Sequence, residues 1–163
     1  FITLDSLQTQ MQDRLRGYEK ALEEHGLTPH VKEINYNINP DNIIRHITSF
    51  LERKDKLDAI LFATNYLGVS GLKAIRKLNL NIGGELAVIS FDDHDLFELH
   101  NPSITAITQP VDEIADVIIN VLLSKLKPGA KSRKEPITVL PTHLIIRDSC
   151  KKLADGNLSN PAI

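Results

Sequence analysis

Tryptophan is absent from this 163-residue chain and aromatic residues make up 5% of it. An interior built from it is therefore filled by Leu, Ile and Val rather than by large rings. The single cysteine, Cys150, excludes an internal disulfide; a reducing cytoplasm is the expected compartment, although disulfide-free periplasmic proteins share this trait. No run approaches the roughly 20 apolar residues of a membrane span, so no membrane partner is expected. A net charge of -2 gives no overall attraction to phosphate backbones, and this segment alone is not expected to bind nucleic acid. Six histidines fall in neither HExxH nor CxxC spacing, which leaves a zinc site without support. GxGxxG and P-loop motifs are missing, no cofactor is implied, and Gly68-Val-Ser-Gly71 is one residue too short for a nucleophile elbow. The opening Phe1-Ile2-Thr3 reads as the last turn of a strand with no leader before it. A piece of a longer protein is the expectation, and the lack of a targeting segment carries no information.

What is present is a repeated alternation of strand and helix signals. From Thr9 to His25, Met11, Leu15, Tyr18 and Leu22 form one helical stripe, which Gly26 stops. Val31 to Tyr36 reads as a strand; Asn39-Pro40-Asp41 then caps a helix to about Arg53 that buries Ile43, Ile44, Ile47, Phe50 and Leu51. Ala59 to Ala63 is a short apolar strand, Thr64-Asn65 a polar turn, and Leu67 to Leu78 a helix with Leu72, Ile75 and Leu78 inward. Gly83-Gly84 breaks the chain before a strand from Ala87 to Phe91. Strands separated by helices of ten to fifteen residues predict an α/β fold with a doubly wound parallel sheet. Asp112 to Leu126 is apolar around almost its whole circumference, so it has to be covered on several sides. Residues 127–135 read as a solvated linker, Ile137 to Leu140 and His143 to Arg147 as two short strands kinked at Pro141, and 151–163 as a polar tail.

The chemistry concentrates where Ala87-Val-Ile-Ser-Phe ends abruptly in Asp92-Asp93. Open α/β sheets bind ligands at the carboxyl ends of their strands, and carboxylates there can hold Mg²⁺, accept a phosphoryl group or receive hydrogen bonds from hydroxyls. Capping of the following loop is the plain alternative. Asn65, just past the neighbouring strand, is expected beside Asp92, where an amide suits sugar hydroxyls or a helix cap. Arg14, a turn into the first helix, presents five donors that can clamp hydroxyls or stay solvated.

Taken in order, Arg14-Leu-Arg-Gly-Tyr18, Asp58-Ala-Ile-Leu-Phe-Ala-Thr-Asn65, Ala87-Val-Ile-Ser-Phe-Asp-Asp93, Asn101-Pro-Ser-Ile-Thr-Ala-Ile-Thr-Gln-Pro110 and Pro141-Thr-His-Leu-Ile-Ile-Arg-Asp-Ser149 resemble motifs of the lactose repressor (LacI/GalR) family of bacterial transcription regulators. The resemblance spans nearly the whole chain, and the closing Pro-x-x-Leu-Ile-x-Arg-x-Ser segment is its most discriminating part. It implies a periplasmic-binding-protein-like (type I) subdomain, truncated, at residues 1–108 and 142–150, with 111–140 an excursion belonging to another subdomain. By analogy Arg14, Asp92 and Gln109 carry the effector contacts. Thr64-Asn65 stands where the family has Asn-Asp, and Ile38 where several members place a stacking aromatic. Loss of that ring puts flat stacking on a sugar in doubt unless Phe97 or Tyr66 supplies it. The implied ligand is a small polar effector, a carbohydrate in the first instance, with operator DNA read through a missing amino-terminal helix-turn-helix and a homodimer as the working form. No enzyme activity is implied. The apolar helix from Asp112 would lack its home sheet and is expected to pack on another copy or swap partners. Two rivals stay open: a periplasmic or receptor-type sugar-binding protein, and a Mg²⁺-dependent phosphoryl-transfer enzyme using Asp92 and Asp93.

Overall fold

The structure, a computed structural model, describes residues 1–53, 56–126 and 137–150. Its strands are β1 (Ile2–Asp5), β2 (Lys32–Asn35), β3 (Ala59–Phe62), β4 (Ala87–Phe91), β5 (Thr105–Thr108) and β6 (His143–Ile145). They form one sheet in the order β2-β1-β3-β4-β5-β6, parallel throughout except for the antiparallel β6. Helices α1 (Thr9–Glu24), α2 (Pro40–Leu51), α3 (Asn65–Lys77), α4 (Asp95–Leu99) and α5 (Val111–Leu126) connect them, and a 3-10 turn at Asp148–Cys150 follows β6. The strand order reverses at β1, which lies between β2 and β3; the crevice beyond the carboxyl ends at such a reversal is where doubly wound sheets take ligands.

Local chemistry explains the element boundaries. α1 ends where Gly26 adopts φ 66°, allowing Leu27 N–H to donate to Leu22 O at 2.9 Å, the closing bond of a Schellman turn. At α2, Asn39 Oδ1 accepts from Asn42 N at 2.9 Å and Pro40 fills the first helical position. For α3 the cap is the Thr64 hydroxyl, which accepts from Leu67 N at 3.2 Å.

The two sheet faces are covered unequally. Ile2, Ile34, Ile60, Phe62 and Val88 meet Ile43 and Ile47 of α2, Leu67 and Ile75 of α3, and Phe97 of α4 in the main core. On the other face Met11 of α1 packs with Phe1 and Ala63 in a smaller cluster joined by Leu15 and Tyr18. Close approach of α3 to the sheet depends on two glycines one helical turn apart. A Cβ on Gly71 would lie 2.0 Å from Phe62 Cζ, and one on Gly68 would lie 2.7 Å from Phe97 Cζ and from Ser90 Oγ. Gly68-Val-Ser-Gly71 is thus a packing face of a helix.

The sheet is the expected α/β one, parallel through its first five strands, with β6 added antiparallel along β5 at the edge. Three expectations require correction. Residues 137–140 form no strand; only His143–Ile145 pairs, since the donor-free ring of Pro141 interrupts the run. The segment after Asp93 contains α4, which a His94 side-chain cap from Leu96 N initiates and which is too short for a periodic signal. Finally, Phe97 is enclosed in the core and cannot stack on a ligand, whereas Tyr66 is 48% exposed. α5 buries none of its residues, and Ile118, Ile119, Leu122 and Leu123 are each more than half exposed. Part of its flank lines a hollow of about 260 Å³ with Thr138 and Leu140. The described linker expectation at 127–135 and the tail at 151–163 lie outside the described residues.

Candidate functional site

Each parallel strand delivers its following residues to one edge. In-register pairing of Phe62 with Ser90 sets the tips of β3 and β4 side by side, and pairing of Phe91 with Ile107 does the same for β4 and β5. At this edge Arg14 reaches across from α1. Its Nη1 donates to Ala63 O at 2.5 Å and to Asp92 Oδ2 at 3.0 Å, and its Nη2 donates to Asp92 Oδ1 at 3.1 Å. The guanidinium also lies 4.4 Å from the centre of the Phe91 ring, a cation-π contact that fixes its plane. From the end of β5, Gln109 Nε2 donates to Asp92 Oδ1 at 2.6 Å. A guanidinium, a carboxylate and an amide separated by up to 95 positions, Arg14 to Gln109, therefore converge at one place.

Asp92 is unusual in its backbone as well. Its φ is 61°, in the left-handed region that only Gly, Asn and Asp visit readily. Its N–H continues the ladder by donating to Ile107 O at 2.8 Å, and the turn there directs the side chain toward Arg14. The carboxylate is 28% exposed and accepts three hydrogen bonds against a capacity of about four. Arg14, 11% exposed, retains Nε–H and one Nη2–H beyond those bonds, while Gln109 is exposed with its amide oxygen unpaired among the described residues. The cluster thus offers acceptor and donor capacity side by side, the combination that a hydroxyl, itself both donor and acceptor, satisfies.

The remaining sequence candidates are placed as follows. Thr64 spends its hydroxyl on the α3 cap, and its carbonyl receives Ser90 Oγ at 3.3 Å. Asn65 occupies the first position of α3, half-buried, and its side chain makes no hydrogen bond among the described residues, Asp92 included. Ile38, in the turn after β2, packs against the main core and is half-buried. The structure joins Arg14, Asp92 and Gln109 directly and leaves Ile38, Thr64 and Asn65 at neighbouring tips.

Asp93 behaves differently from Asp92. Its carboxylate is held by Arg147, from Nη1 at 2.8 Å and Nη2 at 2.7 Å, and Arg147 Nη1 also donates to Ile104 O at 2.8 Å. The sequence places Arg147 at a strand end; its pairing with Asp93, 54 positions away, has no local signal. The neighbouring carboxylates serve separate guanidiniums and do not act as the pair that a Mg²⁺ site requires. Among the described residues no group of three or more His, Cys, Asp or Glu is placed to hold a metal ion.

Hydrogen bonds from Arg147 hold the Asp93 carboxyl below the usual carboxylate range, against an opposing push from burial and with help from the His94 N–H and the Arg147 charge. A lowered folded-state value means that the stability from this pair is complete above the ordinary Asp pKa of about 3.9 and is lost as pH falls through the folded value. Asp93→Asn is therefore expected to cost about 2 kcal/mol at pH 7, with the difference from wild type shrinking below pH 4. Urea unfolding at several pH values checks it, and a deficit that stays constant down to pH 3 would contradict it.

Another concavity, about 790 Å³, lies elsewhere, between α3 and α4, where Leu72, Ile75, Leu80, Leu96 and Leu99 are among its lining residues. None of Arg14, Asp92 or Gln109 borders it.

The periplasmic binding protein-like domain matches residues 1–150. The chain belongs to that family. Within the periplasmic binding protein-like family, curated relatives include the HTH-type transcriptional regulator MalR of Clostridium butyricum, 26% identical over 138 residues, and CelR of Thermobifida fusca, 26% identical over 139 residues. In both cases the alignment covers 84% of this chain and 40% of the relative, so the chain spans about two fifths of the length of these regulators. Among solved structures, the Escherichia coli transcriptional repressor AscG superimposes with a TM-score of 0.74 at 24% identity, covering 93% of this chain and 55% of that one. A CelR–cellobiose complex gives 0.74 at 24% identity, covering 91% and 46%. The likeness to these regulators covers 84% to 93% of the chain and is not confined to short motifs.

Proposed function

We propose that this chain is the ligand-sensing part of a bacterial transcription regulator, and that a sugar or similar small polar effector sits against the Arg14–Asp92–Gln109 cluster. The observation that carries this reading is the convergence of those three side chains, from α1 and from the tips of β4 and β5. The relatives' description as HTH-type transcriptional regulators and the cellobiose bound to CelR support it.

The mechanism is a binding equilibrium without bond making. An effector that contacts this wall and a second wall contributed by the rest of the regulator binds the closed arrangement better than the open one. The switch is then as large as that difference in affinity, typically about 1–3 kcal/mol. Residues 111–140 are assigned to the amino-terminal subdomain, which lies mostly outside this chain, with the apolar surface of α5 as the docking face. Operator DNA is read by a helix-turn-helix outside this chain, in a cytoplasmic homodimer without cofactor or catalytic activity. For the second copy the α3–α4 concavity is the face we favour: Lys73 and Arg76 of its lining are exposed on α3, and exposed Asp95 and Glu98 on α4 supply the opposite charge that a two-fold contact needs.

The test is a thermal-shift screen of the full-length regulator against neutral mono- and disaccharides, cellobiose, ribose and sucrose included. A ligand at about 100 times its Kd adds about 2.7 kcal/mol, a shift of several degrees. At least one sugar is expected to give such a shift; a flat response to all of them, with stabilisation by Mg²⁺ instead, would overturn the reading.

A further inference from the structure

Arg147 and Ser149 of the closing segment make no hydrogen bond to Arg14, Asp92 or Gln109, yet they are tied closely to the strands beside them. Ser149 is fully buried, and its hydroxyl donates to Val88 O of β4 at 2.6 Å and accepts from Thr105 N of β5 at 2.8 Å. Arg147 N donates to Thr105 Oγ1 at 3.0 Å, and Ser149 N to Ser103 O at 2.8 Å. These bonds anchor the backbone from which the Arg147 side chain projects. That side chain is 13% exposed and grips Asp93 with both Nη atoms while Nη1 also holds Ile104 O. Asp93 and Ile104 O engage both of its Nη atoms, and it makes no hydrogen bond to Arg14, Asp92 or Gln109.

The residue before Asp93 is the strained one. With φ at 61°, Asp92 is held in place by the peptide it shares with Asp93, by its own N–H to Ile107 O, and by its carboxylate contacts. A left-handed conformation in a non-glycine residue persists when its surroundings over-determine it. Clamping the next side chain bidentately removes the easiest route of relaxation, rotation of the shared peptide.

We propose that Arg147 is a positioning residue for the effector site: by fixing Asp93 it keeps Asp92 in the left-handed conformation that aims its carboxylate at Arg14 and Gln109. Arg147 sets affinity for the effector without touching it. This rests on the effector-site reading above, but its first consequence concerns the ligand-free protein.

The experiment uses the full-length regulator with Arg147→Met, Arg147→Lys and Ser149→Ala, the last loosening the same anchor without touching Asp93. Two NMR observables are read without ligand: the Asp92 HN–Hα coupling, which reports φ, and the Arg14 side-chain N–H resonances, which report its pairing. Arg147→Met is expected to change both. Arg147→Lys, lacking the planar fork, changes them partway, and Ser149→Ala lowers Tm but leaves both at wild-type values. The sugar giving the largest thermal shift in the screen is then titrated, with an expected loss of about tenfold in affinity for Arg147→Met and less than twofold for Ser149→Ala. Should Arg147→Met fail to fold, Asp93→Asn removes the same clamp and is read identically. An unchanged Asp92 coupling and unchanged Arg14 resonances in a folded clamp variant overturn the proposal, as does a Ser149→Ala variant that moves them equally. Changed resonances in a protein that binds no sugar support the positioning role and count against the sugar reading alone.

Discussion

Asp92→Asn in the full-length regulator is expected to weaken effector binding by on the order of 10- to 100-fold, because a hydrogen bond to a charged group is worth about 1.5–3 kcal/mol and tenfold corresponds to about 1.4 kcal/mol. Asparagine is the informative substitution. It tolerates the left-handed backbone at this position and keeps the side-chain shape, so it removes charge and acceptor capacity while sparing the turn. Asp92→Ala would add a strain of about 1–2 kcal/mol from φ 61° to the lost contacts, and its loss of binding would mix the two. Operator affinity, measured without effector, should stay within about twofold of wild type. Titration of the effector by calorimetry and of operator by fluorescence anisotropy separates the two effects. An unchanged effector affinity removes Asp92 from the site, and a parallel loss of operator binding would show that the substitution damages the fold.

The largest effect on stability is expected from Gly71→Ala. A single methyl there would lie 2.0 Å from Phe62 Cζ and 2.4 Å from Cε1, and Phe62 is fully enclosed by the core. Neither α3 nor β3 can retreat without opening the main hydrophobic cluster, so the overpacking cost is expected at about 3 kcal/mol or more, a fall in Tm of roughly 10 °C. Gly71→Ala combined with Phe62→Leu should recover part of this, because the smaller side chain vacates the contested space. Calorimetric melting of the single and double variants checks both statements. If the double variant is less stable than either single one, the clash is not the cause.

These two residues show what can be read along the chain and what cannot. Period and capping disclose α1, α2 and α3, because Met11, Leu15, Tyr18 and Leu22 recur on one helical face and Asn39-Pro40 announces a start; those signals are local. The parallel core of the sheet follows from strand–helix alternation. The edge strand β6 is read from its apolar run at His143 to Arg147, but its three residues of pairing carry too little alternation to set its bounds or to tell it from Ile137–Leu140, equally apolar, which stays unpaired. α4 escapes notice for the same reason of length.

At the site, the position of Asp92 was legible because an apolar strand ends abruptly in acid. Its partner assignment was not. Asn65 was the expected amide neighbour from strand adjacency, yet the amide that meets the carboxylate is Gln109, from β5, and the motif resemblance pointed to it where adjacency did not. The division of labour between the twin carboxylates depends on Arg147, 54 positions beyond Asp93, and nothing local in the sequence announces which arginine serves which acid. Gly68 and Gly71, three apart on one helix, are the sequence mark of the close approach of α3 to the sheet.

The most direct measurement is side-chain NMR of the full-length regulator titrated with the sugar that stabilises it most, observing Arg14 Nε–H, the Gln109 amide and the Asp92 backbone N–H together. The largest saturable shifts are expected at those three groups, with the α3–α4 concavity around Leu96 and Leu99 unaffected. Shifts that saturate around that concavity while Arg14, Asp92 and Gln109 stay still would contradict the account.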